Sequence, residues 1–207
     1  MRMASGTLSS PPLTPGSQEE LEWRLSLIEP SEKLRGVIFN SVLEVVRQLG
    51  DKQAVAHCRA VTGEGRFMDF FNYPYRSLIQ MTYTAAQFLG TRYGSFEEAL
   101  WQMGHQSATS FYSSTAGRAV LLLSRGGPAR LLDSLPSAFH TAWKSAKVTT
   151  RLTGPKTALF IYKRDFMPRP YTEGGLMGTF AAAKVKGFKI QTRPIGLLDT
   201  EYLLSWD

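Results

Sequence analysis

The chain has 207 residues, of which 43% are hydrophobic and 20% are charged. This composition places it among soluble globular proteins, and the length allows one domain with a sizeable core. The net charge is +7, but the basic residues are spread along the whole chain, which argues against a dedicated nucleic-acid-binding domain.

The sequence carries no signal for export or membrane insertion. No apolar run approaches the roughly 18 residues that a membrane span needs, and no apolar segment follows Arg2 as it does in a signal peptide. We therefore expect a cytoplasmic protein. The one cysteine, Cys58, cannot form an intramolecular disulfide, and its apolar neighbours at helical spacing predict a buried thiol.

The N-terminal part of the sequence predicts a tail followed by helices. Residues 1–18 are rich in Ser, Thr, Pro and Gly and predict a disordered tail, with a single α+β domain over residues 19–207. Within Leu21–Ile28, alternating apolar and polar residues slightly favour a short strand over a helical turn. Apolar residues at three- and four-residue spacing then predict a series of helices. These cover Gly36–Leu49, Asp51 to about Val61, about sixteen residues after Tyr75, a helix opened by the capping box Ser95–Glu98, Thr115–Ser124, a turn or two in Ala129–Leu135, and a last helix beginning at Pro136.

Two of these helices meet at Gly94-Ser95 with almost no loop between them. Helices joined by so short a connection fold back on each other. We therefore expect an αα-hairpin at this point.

The last sixty residues predict two pairs of strands separated by one helix. Alternation of apolar and polar residues in two of the strands indicates a sheet with one covered face, and the upstream helices must cover it. The fold class is α+β, with an N-terminal helical layer packed on a C-terminal ββαββ antiparallel sheet. The strands are Lys147–Leu152, Thr157–Arg164, Phe188–Arg193 and Glu201–Trp206, and the helix is Thr172–Lys186.

No pattern in the sequence predicts a catalytic or metal site. The three histidines form no pair at ligand spacing, and none lies beside a cysteine at zinc spacing. Carboxylate pairs suited to acid–base catalysis and a nucleophile elbow are both missing. His105 is the best single candidate for a haem or acid–base role, with a structural histidine as the alternative. We expect no enzyme and no metal.

The string Glu173-Gly-Gly-Leu-Met-Gly178 permits two interpretations. Free amides at the start of a helix could hold an anion, or the glycines could let the helix pack tightly on the sheet. The string matches neither the dinucleotide fingerprint nor the phosphate-loop signature. Packing is therefore the favoured interpretation.

The strand alternation also places four basic residues on the uncovered face of the sheet. They are Lys147, Arg151, Lys189 and Arg193. This face is either simply solvated or a docking surface for an acidic partner.

Five strings in the chain resemble one family. They are Phe70-Phe-Asn-Tyr-Pro74, Leu100-Trp-Gln-Met-Gly104, Ser114-Thr-Ala-Gly-Arg118, Leu131-Leu-Asp-Ser-Leu-Pro136 and Glu201-Tyr-Leu-Leu-Ser-Trp206. With them the chain, from Leu21 to Asp207, resembles an uncharacterised family (a domain of unknown function) of about this length that is greatly expanded in myxobacteria. The family has no established activity, so this resemblance implies no chemistry.

Helices followed by ββαββ and a last strand ending in Trp more weakly resemble the fold of haem–nitric-oxide-binding domains, vinyl-reductase-type ligand-binding domains and vesicle-tethering relatives. Those proteins hold haem, a lipid or another apolar ligand between helices and sheet, or bind partners on the surface. In the haem-binding proteins of this fold, a Tyr-x-Ser-x-Arg motif binds the propionates of the haem. The nearest string here is Tyr162-Lys-Arg-Asp-Phe166, in which Arg164 and Phe166 replace Ser and Arg. We therefore expect no haem, assign no haem ligand and leave the cofactor unknown.

Two functional hypotheses remain open. The first is a non-enzymatic sensor or regulatory protein that binds a small apolar or amphipathic ligand between helices and sheet. Its candidate pocket residues are Phe71, Tyr75, His105, Phe111, Phe160, Tyr162 and Trp206. The alternative is a cytoplasmic adaptor that contacts a protein partner through the basic sheet face (Lys147, Arg151, Lys189, Arg193) or through the helical hairpin. Ligand, partner and oligomeric state, including a homodimer, stay open.

Overall fold

A computed structural model describes residues 13–123, 127–143 and 146–207. Within these ranges the chain forms eight helices and six strands. The helices are α1 (Gln18–Ser26), α2 (Gly36–Leu49), α3 (Lys52–Ala60), α4 (Tyr75–Tyr93), α5 (Phe96–Ser113), α6 (Thr115–Leu123), α7 (Pro128–Ala142) and α8 (Arg169–Ala182). The strands are β1 (Lys33–Arg35), β2 (Asn72–Pro74), β3 (Lys147–Gly154), β4 (Thr157–Lys163), β5 (Lys189–Pro194) and β6 (Thr200–Ser205).

The predicted α+β class is confirmed. The C-terminal ββαββ unit forms one antiparallel sheet with strand order β3-β4-β6-β5, so the second strand pair joins the first through β6. Alternate residues of β4 and β6 are buried against the helices, as the period of a half-covered sheet requires. A second sheet, β1 paired with β2, was not predicted, since strands of three residues are too short to show a periodicity.

The buried side chains form two hydrophobic cores. One lies among α1 to α5 and includes Phe39, Leu78, Tyr83 and Leu100. The other lies between the sheet, α7 and α8 and includes Phe160. The helical layer and the sheet therefore each have a core, and the elements between the two cores decide how the layers meet.

Capping residues set several helix ends as the sequence predicts. Asp51 accepts a hydrogen bond from the amide of Ala54 at 2.9 Å, and Ser95 accepts one from the amide of Glu98 at 3.0 Å. Gly94 ends α4 with a left-handed φ of 97°. Helices α4 and α5 pack on each other directly after this turn, so the predicted hairpin is confirmed.

The strand favoured within Leu21–Ile28 is wrong, because this segment belongs to α1. Ser17 caps the helix by accepting from the amide of Glu20 at 3.1 Å, and Glu20 pairs with Arg24 one turn later at 2.9 Å. A cap followed by an i,i+4 ion pair outweighs the short apolar alternation.

Residues 1–12 of the predicted tail lie outside the described residues. Near its end, Ser17 caps α1 and Gly16 contacts the helical layer. Gly16 lies against the ring of Phe96, and its carbonyl accepts from Gln87 at 3.0 Å.

The predicted break before Pro136 is also wrong, since α7 runs through this residue. Proline removes one helical hydrogen bond and normally disfavours a helix interior. Here Leu131, Leu132 and Leu135 are buried on one side of the helix against the sheet core. Burial of this apolar face keeps the helix continuous across the proline.

Helices α5 and α8 make the closest contact in the fold, and glycines permit it. A Cβ added to Gly104 of α5 would overlap the carbonyl of Tyr171, and one added to Gly174 of α8 would overlap the carbonyl of Trp101. Gly178 faces the backbone of α5 in the same way. The packing interpretation of the glycine string is therefore correct, although the partner is α5 and not the sheet.

We predict that Gly174→Ala lowers the free energy of unfolding by at least about 2 kcal/mol, because the new methyl group forces two backbones apart. Gly175→Ala is the matched control in the same helix, because its Cβ would lie 3.8 Å from the nearest atom. Better helix propensity makes that variant neutral or more stable by up to about 1 kcal/mol. Urea unfolding of both variants measures the difference, and equal effects would contradict the contact.

Candidate functional site

Beside the contact of α5 and α8, the two layers leave a cavity of about 270 Å³. Its walls come from α5, α7 and α8, from the starts of α2 and α4, from the end of β4 and from the loop between β4 and α8. Phe111 is 45% exposed and also lines the cavity, so the cavity reaches the surface at this residue. The volume lies just below the range of small-molecule sites, roughly 300 to 1,000 Å³.

Aromatic side chains dominate the wall. They come from five helices and strands, so the tertiary fold gathers rings that are far apart in the sequence. The aromatic lining residues are Tyr75, Phe111, Tyr112, Phe139, Trp143, Tyr162 and Tyr171. Phe139 links the wall to the sheet core, because its ring lies 5.4 Å from that of Tyr162 and 5.6 Å from that of Phe160.

Asp165 is the one acidic side chain among the described residues that line this cavity. It is 5% exposed. One carboxylate oxygen accepts from the amide of Met167 at 3.0 Å, and the other accepts from the hydroxyl of Thr172 at 2.7 Å. Each oxygen keeps a further lone pair, so the carboxyl can accept additional hydrogen bonds.

The loop between β4 and α8 holds Asp165 in this position. Arg164 adopts a left-handed φ of 55°, which is unusual for a residue with a side chain. Its amide donates to the carboxylate of Asp199 at 3.0 Å, and the amide of Asp165 donates to the carbonyl of Leu198 at 2.9 Å. The β5–β6 connection thus fixes the turn that directs Asp165 inward.

Burial raises the pKa of Asp165 to about 7. The hydrogen bonds from Thr172 and Met167 and the charge of Arg24 oppose this rise but do not cancel it. The cause is loss of hydration, which disfavours the charged form of a buried carboxyl group. Asp165 therefore exchanges a proton near neutral pH.

The tyrosines of the wall remain neutral hydroxyl groups. Burial raises the pKa of Tyr75, Tyr162 and Tyr171 above the ordinary value, and the nearby charge of Asp165 adds to the rise. Tyr171 shares a hydrogen bond of 2.9 Å with Ser107 across the α5–α8 contact. These hydroxyl groups can bind a ligand by hydrogen bonds.

Trp143 supplies an unused donor at the wall. Its indole nitrogen is buried and has no hydrogen-bond partner. A buried N–H group without a partner is unfavourable by about 1 to 3 kcal/mol. An acceptor inside the cavity would remove this penalty.

The structure brings three of the predicted pocket residues together. Tyr75, Phe111 and Tyr162 all line the cavity. Phe160 and Trp206 are buried in the sheet core behind the wall. The prediction places these two residues in the correct layer, but they do not line the cavity.

Phe71 and His105 lie elsewhere. Phe71 is 66% exposed in the turn before β2, because the backbone there is bonded to the start of α2. The imidazole of His105 stacks on the ring of Trp101 with centroids 5.2 Å apart, outside the cavity wall. The sequence order of aromatic residues could not distinguish these surfaces.

The four basic sheet residues do share one face. Lys147 and Arg151 lie on the edge strand β3, and Lys189 and Arg193 lie on the opposite edge strand β5. Arg193 pairs with Glu201 at 2.8 Å. The middle of the face is apolar, with Leu203 38% exposed, so positive charge borders the face and does not cover it.

Cys58 is buried as predicted. Its thiol donates to the carbonyl of Met81 at 3.8 Å, and burial raises its pKa to about 12. Across the part of the chain that the structure describes, no three His, Cys, Asp or Glu side chains meet as a metal site would require. No helix in the same ranges has the length and hydropathy of a transmembrane span.

Three important wall residues were not predicted, namely Asp165, Trp143 and Tyr171. Trp143 was assigned only to the last predicted helix, and Asp165 entered only as part of the string that departs from the haem motif. No local pattern indicates that an Asp after a strand is buried, because that depends on contacts with Leu198 and Asp199 more than thirty residues away.

Several solved structures have the same fold. The Fe(II) unliganded H-NOX protein from K. algicida is 14% identical, with a TM-score of 0.64 over 84% of this chain and 97% of that chain. A Cs H-NOX mutant is 12% identical, with a TM-score of 0.66 over 84% and 97%. An oxygen-binding H-NOX domain related to soluble guanylate cyclases is 11% identical, with a TM-score of 0.62 over 84% and 95%. The chain therefore has an H-NOX-like fold, and the weaker resemblance is confirmed.

No curated protein matches the chain in sequence. A sequence profile does match residues 27–207, and it belongs to the family described as protein of unknown function DUF2378. The match covers the helical layer from the end of α1, the sheet and all the residues that line the cavity. The chain belongs to this family of unknown function, DUF2378.

Proposed function

We propose that the protein is a non-enzymatic sensor or regulatory domain that binds a small amphipathic molecule in the cavity between α5, α7 and α8. The observation that carries the proposal is the combination of an aromatic wall with two buried polar groups, Asp165 and the indole N–H of Trp143. Apolar pockets with a few convergent polar groups are typical of ligand sites.

The energetics support this interpretation. A dehydrated carboxyl group and an unpartnered indole N–H both destabilise the folded chain. Local rules are most often broken at functional sites, where the loss of stability is retained for binding. A ligand that bonds either group would recover part of that stability.

The H-NOX-like fold supports a ligand-binding role but not haem. Haem is the group named for the H-NOX family. It carries two carboxylates, and among the described residues the cavity has no Lys, Arg or His in its wall. Arg164 pairs instead with Glu32 at 2.8 Å, and the cavity presents the acidic Asp165. The residues present do not fit haem, and we assign it no role.

Catalysis is not part of the proposal. The chain's one thiol, Cys58, is buried with its pKa raised to about 12, so it is not a nucleophile at neutral pH. The neutral wall tyrosines and a hydrogen-bonded Asp165 suit binding without a chemical step. A sensor of this kind signals through the change in packing when the cavity fills.

A second candidate is an adaptor that docks through the outer face of the sheet. It is favoured by the exposed Leu203 between the basic edges at Lys147, Arg151 and Lys189. An acidic partner with an apolar centre would match this face. Reversal of these three charges to Glu should then abolish capture of that partner, whereas Lys52→Glu on α3 should leave it intact. Unchanged capture by the triple variant would exclude the sheet face.

We predict that the protein purified under native conditions retains a ligand or takes one up from small amphipathic compounds. Native mass spectrometry measures the extra mass. Ala138→Trp places a large ring in the cavity and should abolish the extra mass, because Ala138 lines the wall. Ala60→Trp is the control, because Ala60 is exposed at the end of α3. Retention by Ala138→Trp would contradict the site.

We predict that Asp165 makes the protein less stable as the pH rises from about 4 to about 7. The ordinary pKa of the carboxyl, which applies in the unfolded chain, is 3.8, whereas the folded protein keeps the proton until about 7. In this window the unfolded state binds fewer protons, so the free energy of unfolding falls by up to about 1.4 kcal/mol per pH unit.

Asp165→Asn should flatten this pH dependence and be the more stable protein at pH 8, and urea unfolding at four pH values measures it. Asp133→Asn, at an exposed position on α7, is the control. Parallel profiles for wild type and Asp165→Asn would show that burial does not perturb Asp165.

A further inference from the structure

We infer that the ligand of this cavity is an organic cation, namely an apolar body with a protonated or quaternary ammonium group that lies between Asp165 and the tyrosine rings. This inference rests on the proposed function and names the chemical class of its ligand. The geometry that points to it is an acidic side chain in a cavity lined by aromatic rings, without a basic side chain in the described wall.

The charged side chains of the described wall favour a cation. Asp165 is its one acidic group, and no Lys, Arg or His among the described residues lines it. Ligands that carry a carboxylate or phosphate would meet no counter-charge there and would face Asp165. A cation would supply the counter-charge that a buried carboxylate requires.

Two arginines near Asp165 are Arg24, whose charge acts on the carboxyl group, and Arg164, the sequence neighbour of Asp165. Arg24 lies outside the described wall of this cavity and is already engaged. Its guanidinium pairs with Glu20 at 2.9 Å and donates to the carbonyls of Phe166 and Met167. Arg164 is held by Glu32. Neither side chain provides a partner for Asp165 on the cavity side.

The rest of the wall is rich in aromatic rings, which also favour a cation. Faces of Tyr, Trp and Phe attract cations through the ring quadrupole, and cages of such rings are how proteins recognise quaternary ammonium compounds. Here Tyr75, Tyr162 and Tyr171 line the same cavity as Asp165. The same rings provide an apolar surface for the body of the ligand.

Binding of a cation should depend on pH through the ionisation of Asp165. The groups that face Asp165 come from α1, α4, β4, α8 and β6. They are Arg24, Tyr75, Tyr162, Tyr171, Thr172 and Tyr202. Burial raises the pKa of each tyrosine above its ordinary value and the pKa of Asp165 to about 7, so Asp165 changes its charge between pH 5.5 and 8.5. Affinity for a permanent cation should therefore rise with pH across this interval.

The test uses two probes of the same shape, phenyltrimethylammonium and its neutral analogue tert-butylbenzene. Titration calorimetry with the full chain at pH 8 should show the cation binding at least about tenfold more tightly. Asp165→Asn should remove this advantage without loss of tert-butylbenzene binding, while Asp133→Asn should retain it. In wild type, binding of the cation should weaken several-fold from pH 8.5 to pH 5.5.

Each possible result either supports or overturns the inference. Equal or tighter binding of tert-butylbenzene overturns the inference and leaves the proposed function intact, because the cavity still accepts an apolar body. Binding of neither probe overturns the inference, and the retained mass in native mass spectrometry then decides separately on the proposed function. If Asp165→Asn fails to fold, the pH dependence in wild type decides, and a flat profile overturns the inference.

Discussion

The backbone contact between α5 and α8 is the constraint on which the rest of the structure depends. Helices normally pack 8 to 10 Å apart because side chains separate them. Gly104 and Gly174 remove those side chains where the two helices touch, so the backbones meet. This close contact fixes α8 against the helical layer, and the cavity lies beside it, with Gly104 of α5 in its wall.

The cavity is polar at one end because the loop before α8 is anchored twice. Asp199 and Leu198 hold the backbone of Arg164 and Asp165, and Thr172 in the first turn of α8 bonds the carboxyl. Stability alone would favour an apolar residue at this position, since a dehydrated carboxyl is unfavourable. The left-handed backbone at Arg164 and the buried acid therefore belong together, and both are features expected of the proposed ligand site.

The sequence predicted the parts of the fold that depend on local periodicity and caps. The ββαββ unit, α2, α3 and the hairpin of α4 and α5 all follow from apolar spacing and from Asp51, Gly94 and Ser95. The failures occurred where contacts between distant segments decide. Three-residue strands pair only because their partners are held in place, and α7 continues through Pro136 because the sheet buries its leucines. The same limit applies to the cavity, where Asp165 becomes an interior residue only after β4, α8 and the β5–β6 connection have met.

The central claim is that the space between α5, α7 and α8 holds a ligand against Asp165. A crystal structure of the protein as purified, or soaked with phenyltrimethylammonium, tests this most directly. The account predicts continuous density inside the aromatic wall, with its polar end within hydrogen-bonding or ion-pairing distance of Asp165. A cavity closed by rotation of Phe139 or Trp143, with Asp165 bonded only to protein atoms, would contradict it.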